Sequence, residues 1–371
     1  MSITDTGGPP NRRAPNSSRH PAADTGRFGG LPRGVAVHPL DAGWLPRSMG
    51  QTRTARTGSL VQNLASHDWV LIVYLSALIL ALVFGRGQGR IVSIERVSVD
   101  LAALLFVLAI VRLPLLPWAS PASSLLYRST LLGVLLASFF QLREILPAVS
   151  PGADDARIYA FDLHVFGFEP SVWLDRFVSP VTTEWFAFFY FLYFLILAVH
   201  ILPALFALQD LRVLGQFGVG ILLVFTTAHL LYMVVPGWGP YWYLQTTFHN
   251  ELHGGFFWKL VREAVDAGGA QKDIFPSLHT AGPTYLAIFS FRHRRIAPFK
   301  YTWPVIAFFV TQIIIATLFL RWHYLVDVLA GLTLATSAAV IGDRVALWEI
   351  AKRERLGRQP AWMPPAYPWS R

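Results

Sequence analysis

The 371-residue chain has no cysteine, and charged residues make up only 14% of it. The first absence excludes disulfides, cysteine-ligated zinc and thiolate catalysis, and leaves the compartment open. The second excludes an ordinary soluble domain, in which about 25% of residues are charged. A signal peptide is missing as well, because no apolar core follows a short basic start. So is any internal repeat of fixed period. What is there is apolar: 54% hydrophobic residues and a mean hydropathy of +0.45. Several runs approach the roughly 20 residues that cross a bilayer as a helix. The net charge of +9 would suit nucleic acid, but its distribution follows membrane topology, so no nucleic-acid partner is expected.

Residues 1–67 are rich in Pro, Gly, Ser, Thr and Arg with no apolar periodicity, the composition of a disordered tail. The chain end, RQPAWMPPAYPWSR, is Pro-rich and reads as irregular. Between them the apolar runs predict eight helices, near 69–85, 99–118, 124–141, 184–207, 214–236, 278–292, 301–320 and 323–342. Arg128 weakens the third and short length weakens the sixth. The fold class is therefore all-α, a polytopic transmembrane bundle. It divides into two N-terminal helices within 68–120, a core over 121–345 and a basic tail over 346–371. The stretch 155–180 mixes aromatics with charges and is expected to lie along the interface.

Orientation follows the excess of Lys and Arg in cytoplasmic loops. The N-terminal tail has eight Arg, FRHRRIAPFK gathers Arg292, Arg294, Arg295 and Lys300, and RERLGR marks the C-terminal tail. Eight spans place all three on one side, so both termini are expected in the cytoplasm. Segment 142–183, with Glu144, Asp154, Asp155, Asp162, Glu169 and Asp175, falls on the other side, as does 237–276. The short 86–98 loop, with Arg86, Arg90 and Arg96, is the one dissenter. An arginine-rich, lysine-poor composition fits a bacterial plasma membrane.

Two short stretches carry chemistry. DIFPSLHTAGP, residues 273–283, places Ser277 and His279 at the mouth of the sixth helix. Alone, Ser277 reads as a helix cap and His279 as packing. ATLFLRWHYLVDVLAG, residues 316–331, places His323 and Asp327 four apart, on one helical face. A carboxylate there can fix the imidazole tautomer and leave the other nitrogen free. Ionisable residues at membrane depth are functional candidates by default, and both stretches open on the same membrane face. The conjunction outweighs the separate structural readings, in which Asp327 merely pairs with Arg321.

FPSLHT and HYLVD resemble the second and third signature motifs of the type-2 phosphatidic acid phosphatase superfamily. The nearer resemblance is to its inositol phosphorylceramide synthase and sphingomyelin synthase branch. It covers roughly 140–342, including the aromatic VPGWGPYWY. The resemblance implies a six-helix phosphatase-like core in which His323 attacks phosphorus, Asp327 orients it and His279 protonates the leaving group. It implies no cofactor. Ser277, at a helix N-terminus that favours anions, fits as a phosphate contact. The superfamily's first motif, a lysine followed by an arginine-proline pair, is absent. Its arginine six residues before the third-motif histidine is Thr317 here, a departure shared with fungal and animal sphingolipid synthases. That leaves the phosphate's cations open: Arg321 is the nearest candidate, with Lys259, Lys272 and Arg143 behind it.

The expected activity is lipid phosphotransfer, from a phospholipid donor such as a phosphoinositide to a lipid alcohol such as a ceramide, through a phosphohistidine. A lipid phosphate phosphatase using water as acceptor shares every residue. A non-enzymatic transporter or scaffold is the alternative of another class, but the spans lack repeated Gly/Pro-broken helices. A vanadate-dependent peroxidase is remoter still. Other motifs read as decoys. FHNELHGG puts His249 and His253 around Glu251, but a metal needs a third ligand and none is expected. GRGQGR at 85–90 has no strand before it. WFAFFYFLYF, 185–194, reads as packing, and Asp162 and His164 as interfacial anchors.

Overall fold

The computed structural model describes residues 59–113, 117, 120–268 and 271–363, all within the unit Arg53–Arg371. Apart from its last nine residues, the expected N-terminal tail lies outside the described residues, as does 364–371. Thirteen α-helices are described: α1 (Leu60–Asn63), α2 (Ser66–Phe84), α3 (Arg90–Arg112), α4 (Pro121–Val149), α5 (Asp155–Phe166), α6 (Pro170–Leu174), α7 (Pro180–Ala207), α8 (Leu211–Val234), α9 (Pro240–Tyr243), α10 (Phe256–Gly268), α11 (Leu278–Arg292), α12 (Phe299–Phe319) and α13 (Leu325–Arg355). The protein is an all-α polytopic bundle. Its starts are chemically marked: Ser120, Ser179, Asp210 and Ser277 each accept a first-turn amide with their side chains. Pro stands at the head of α4 and α7, where its missing N–H has no intrahelical role.

The eight expected spans correspond to α2, α3, α4, α7, α8, α11, α12 and α13. Six are long and apolar enough to cross a membrane; α3 and α11 are not among them. In α3, Arg90, Glu95, Arg96 and Asp100 crowd the first half. The 15 residues of α11 reach only about 22 Å at 1.5 Å per residue, short of the ~30 Å apolar layer. It does not need that reach. It packs against α7, α8, α12 and α13, and ten of its residues are buried. The third run is longer than expected, at 29 residues. Arg128, the charge that weakened it, is buried and donates to the carbonyls of Leu205 and Met363.

The last helix also exceeds its expected bounds. α13 runs 31 residues to Arg355, past the expected tail boundary at 346, and Trp362 and Met363 beyond it are buried against α2–α4. Glu349 accepts the amide of Ser66, and Arg353 donates to the carbonyls of Asn63 and Leu64. The two described ends of the chain therefore share one face. The N-termini of α11 and α13 open on the opposite face, with α5, α6 and α10 around them. Within 155–180, Phe161, Trp173 and Phe177 on this rim are exposed.

Two glycine approaches set the height of α13. A Cβ on Gly342 would stand 2.8 Å from the Gly220 Cα, so α8 and α13 cross almost backbone to backbone. A Cβ on Gly331 would stand 2.6 Å from the Ser277 carbonyl oxygen. The head of α11 is thus seated directly on α13.

Candidate active site

The two motif stretches are stitched together by backbone. The amide of Ser277 donates to the carbonyl of Asp327 at 3.0 Å. This brings the rings of His279 and His323, from different helix starts, to 6.2 Å between centroids. Both line a cavity of about 110 Å³. Its other walls are aromatic and aliphatic: Tyr190, Phe191 and Phe194 of α7, Phe139 of α4, Trp238 and Trp242, and Val261 and Val265 of α10. Its charged or imidazole lining is Asp273, His279 and His323, with no lysine or arginine among the described residues.

His323 is held in one tautomer. Its Nδ1 lies 3.0 Å from the carbonyl oxygen of Ile274, and a carbonyl can only accept. Nδ1 therefore carries the proton, which leaves the Nε2 lone pair free on the other edge of the ring. The expected partner, Asp327, stands second: its Oδ2 is 3.6 Å from Nδ1, beyond a hydrogen bond. That oxygen accepts the Tyr324 amide at 2.9 Å, while Oδ1 is buried without a partner. Asp327 caps α13 through the Tyr324 amide, and the hydrogen bond that orients the ring comes from Ile274.

His279 sits in a box of aromatics. Tyr190 stacks on it at 4.2 Å and 15°, Tyr193 lies 4.1 Å away, and Phe194 meets it edge-on at 6.3 Å. Its Nδ1 is 3.5 Å from the Tyr190 hydroxyl, and its Nε2 is shielded with no partner. The run 185–194, read from sequence as packing, therefore supplies the walls of the site. Asp273, four residues before Ser277, is the other residue the motif reading passed over. It lines the cavity, and burial pushes its carboxyl above the ordinary range.

Two expected phosphate contacts stand elsewhere. Ser277 is fully buried as the cap of α11, accepting from the Thr280 amide at 3.3 Å, and is not part of the cavity lining. Arg321, at φ +66°, donates to Asp175 at 2.7 Å and to the Asn250 carbonyl at 2.6 Å, over the face of Phe248. It ties α12 to the neighbouring loop and also lies outside the lining. The other cations are engaged or distant. Lys272 donates to the carbonyls of Ser150, Pro151 and Gly152; Lys259 is exposed beside Glu263; Arg143 is exposed on α4.

Asp162, expected as an interfacial anchor, shares a task with three other acids. Asp155 accepts the amides of Trp238 and Gly239, and Asp162 those of Leu325 and Val326. Asp175 takes His249 and Asn250, while Glu184 takes Gly255, Phe257 and Trp258. Each fastens a loop or helix start that frames the cavity. His164 is exposed, and His253 faces Glu251 at the surface at 3.2 Å. His249 reaches the frame only through its backbone amide.

An apolar helical bundle with six helices long and apolar enough to cross a bilayer is that of an integral membrane protein, and its two histidines share one cavity. A family model of the PAP2 superfamily matches residues 156–341, about half of the chain, including Asp273, His279, His323 and Asp327. The chain belongs to the PAP2 superfamily, the type-2 phosphatidic acid phosphatases that its motifs resemble, and carries phosphatase- or phosphotransferase-type chemistry on lipid phosphates. No curated protein and no solved structure matches it.

Proposed function

We propose that the protein is a lipid phosphotransferase of the inositol phosphorylceramide synthase and sphingomyelin synthase-like branch. The observation that carries this reading is the cavity lining: two histidines, one carboxyl and, among the described residues, no lysine or arginine. A phosphomonoester near neutral pH carries close to two negative charges, and burying them without a cation is costly. A phosphodiester carries one, which suits a site with so little positive charge. Phe139, Phe191 and Phe194 extend the cavity between α4 and α7, and Phe194 is itself exposed. That is a route for lipid chains from the bilayer.

In this reading the His323 Nε2 attacks the phosphorus of the donor, with Nδ1–H steadied by Ile274 and the developing imidazolium by Asp327. His279 gives its proton to the departing lipid alkoxide. It then takes one from the acceptor hydroxyl, which attacks the phosphohistidine and regenerates His323. The N-terminus of α11 offers amide dipoles to the phosphate. Asp273 can hold a hydroxyl of the head group or acceptor. The site opens on the non-cytoplasmic face of a bacterial plasma membrane, with both termini inside. Purified protein given phosphatidylinositol and a ceramide or another lipid alcohol is expected to form a new phospholipid, with acid-labile phosphate trapped on His323. Release of inorganic phosphate from a monoester, with no transfer to any alcohol, would make it a lipid phosphate phosphatase.

A further inference from the structure

Four carboxyls gather under the first turn of α13, behind the cavity wall. Asp162 accepts the amides of Leu325 at 2.7 Å and Val326 at 3.1 Å. Asp155 accepts the Tyr324 hydroxyl at 3.0 Å, and Asp327 the Tyr324 amide at 2.9 Å. Glu169, which heads α6, faces Asp162, Asp327 and Tyr324. Glu169 is 4% exposed and Asp162 0%. Glu169 Oε1 takes the amide and hydroxyl of Ser171, but its Oε2 is buried with no partner. The base acting on this group is Lys272, which feels Asp155 and is itself held by the carbonyls of 150–152.

Such a group cannot stay fully ionised without large cost, so a proton must reside in it. The four are not equivalent. Asp162 sits on the positive end of α13 with two amides pointing at it, which favours its charge. Glu169 has only Ser171 as donor and looks at two other acids. The proton therefore belongs on Glu169, on the oxygen that lacks a partner.

We propose that Glu169 is a positioning residue: its protonated Oε2 donates to Asp162, and the pair clamps the head of α13 that carries His323 and Asp327. This rests on the reading of His323 as the reacting group. Burial pushes the Glu169 carboxyl up to about 7, against the Ser171 hydrogen bonds, and burial pushes Asp162 up as well. A raised carboxyl pKa means that the neutral form is the one the fold favours. The clamp is therefore intact below about pH 7. Above it, Glu169 ionises, the donor is lost and two adjacent carboxylates repel.

The test is the pH profile of kcat for the wild type, Glu169→Gln and Glu169→Ala, together with infrared difference spectra between pH 6 and pH 8. The wild type should lose activity severalfold as pH rises through about 7. Glu169→Gln, which keeps a neutral donor at every pH, should retain activity and lose that alkaline fall. Glu169→Ala should be several times slower throughout. The carbonyl band of a protonated carboxyl should vanish at high pH in the wild type and be missing in Glu169→Gln. An unchanged alkaline fall in Glu169→Gln, or no such band, would overturn the proposal. Because the band needs no substrate, its presence in a protein that transfers nothing would sink the functional reading alone.

Discussion

The bundle contains two buried polar clusters, one at each face, and they are built on opposite rules. At the face where the termini meet, the buried carboxylates are answered by cations. Asp68 receives Arg112 at 2.7 Å, the Tyr127 hydroxyl at 2.6 Å and the Ala65 amide at 2.7 Å. Glu349 holds Arg353 at 2.9 Å and the Ser66 amide, and Trp362 stacks over His67 at 4.2 Å. At the other face Asp175 holds Arg321 at 2.7 Å, but Asp162, Glu169 and Asp327 behind His323 have no ion pair with lysine or arginine among the described residues, and His279 Nε2, Asp327 Oδ1 and Glu169 Oε2 are buried without a hydrogen-bond partner. A buried polar atom without a partner is expensive, and at the site face such atoms sit on the histidine and the acids proposed to act. The first cluster is built around ion pairs, and the second lacks them around its histidines.

The largest expected effect lies in the incomplete cluster. His323→Ala should lower transfer by about 10⁴-fold or more, the scale seen when a nucleophile is removed, with unfolding little changed. Activity within tenfold of wild type would erase the distinction, since His323 would then be structural too. The complete cluster should respond in the reverse sense. Asp68→Leu leaves Arg112 buried without its carboxylate, at a cost of about 3–5 kcal/mol, read as a drop in unfolding midpoint. The protein that remains folded should keep its kcat. Asp68→Leu with Arg112→Met should recover most of the stability, because an apolar pair can replace a buried ion pair.

Much of this contrast could be read from sequence, and what could not has a physical reason. PSLHT and HYLVD are local, so their histidines were visible, and their meeting followed from both standing at helix starts on one face. Partners far along the chain were not. Asp162 caps amides 163 and 164 residues away, and Asp175 reaches Arg321 across 146. Apolar periodicity carries no trace of such bonds. This is why Arg321 looked like a free cation and Asp162 like an anchor. Tyr190 and Tyr193 were hidden in a run whose composition is that of lipid-facing packing. Asp273 did leave a signal, as the one acid next to the PSLHT motif. The extent of α13 was masked by its charged end, whose Glu349 and Arg353 satisfy each other inside the bundle.

The joint between the clusters is α13, and Gly331 tests how tightly it is set. Gly331→Ala would push a methyl into the Ser277 carbonyl, now 2.6 Å from the ideal Cβ position. Backbone cannot yield as a side chain can, so about 1–3 kcal/mol of stability should be lost. The shift falls on the contact between the two histidine-bearing helix starts. Activity should drop in the folded fraction, unlike in the Asp68 variant. An unchanged kcat would show that the site tolerates movement of α11 on α13.

The smallest effect sharpens the claim that the site has no cation in its wall. Lys259 is 76% exposed and 3.8 Å from Glu263, a pair of a kind worth about 0–1 kcal/mol. Lys259→Ala should leave unfolding within about 0.5 kcal/mol of wild type and change neither KM nor kcat. A raised KM with kcat intact would mean that α10, whose Val261 and Val265 already line the cavity, brings its lysine to the substrate's phosphate. The incomplete cluster would then be completed by the exposed face of a neighbouring helix. The argument for a singly charged phosphodiester, which depends on the missing cation, would lose its footing.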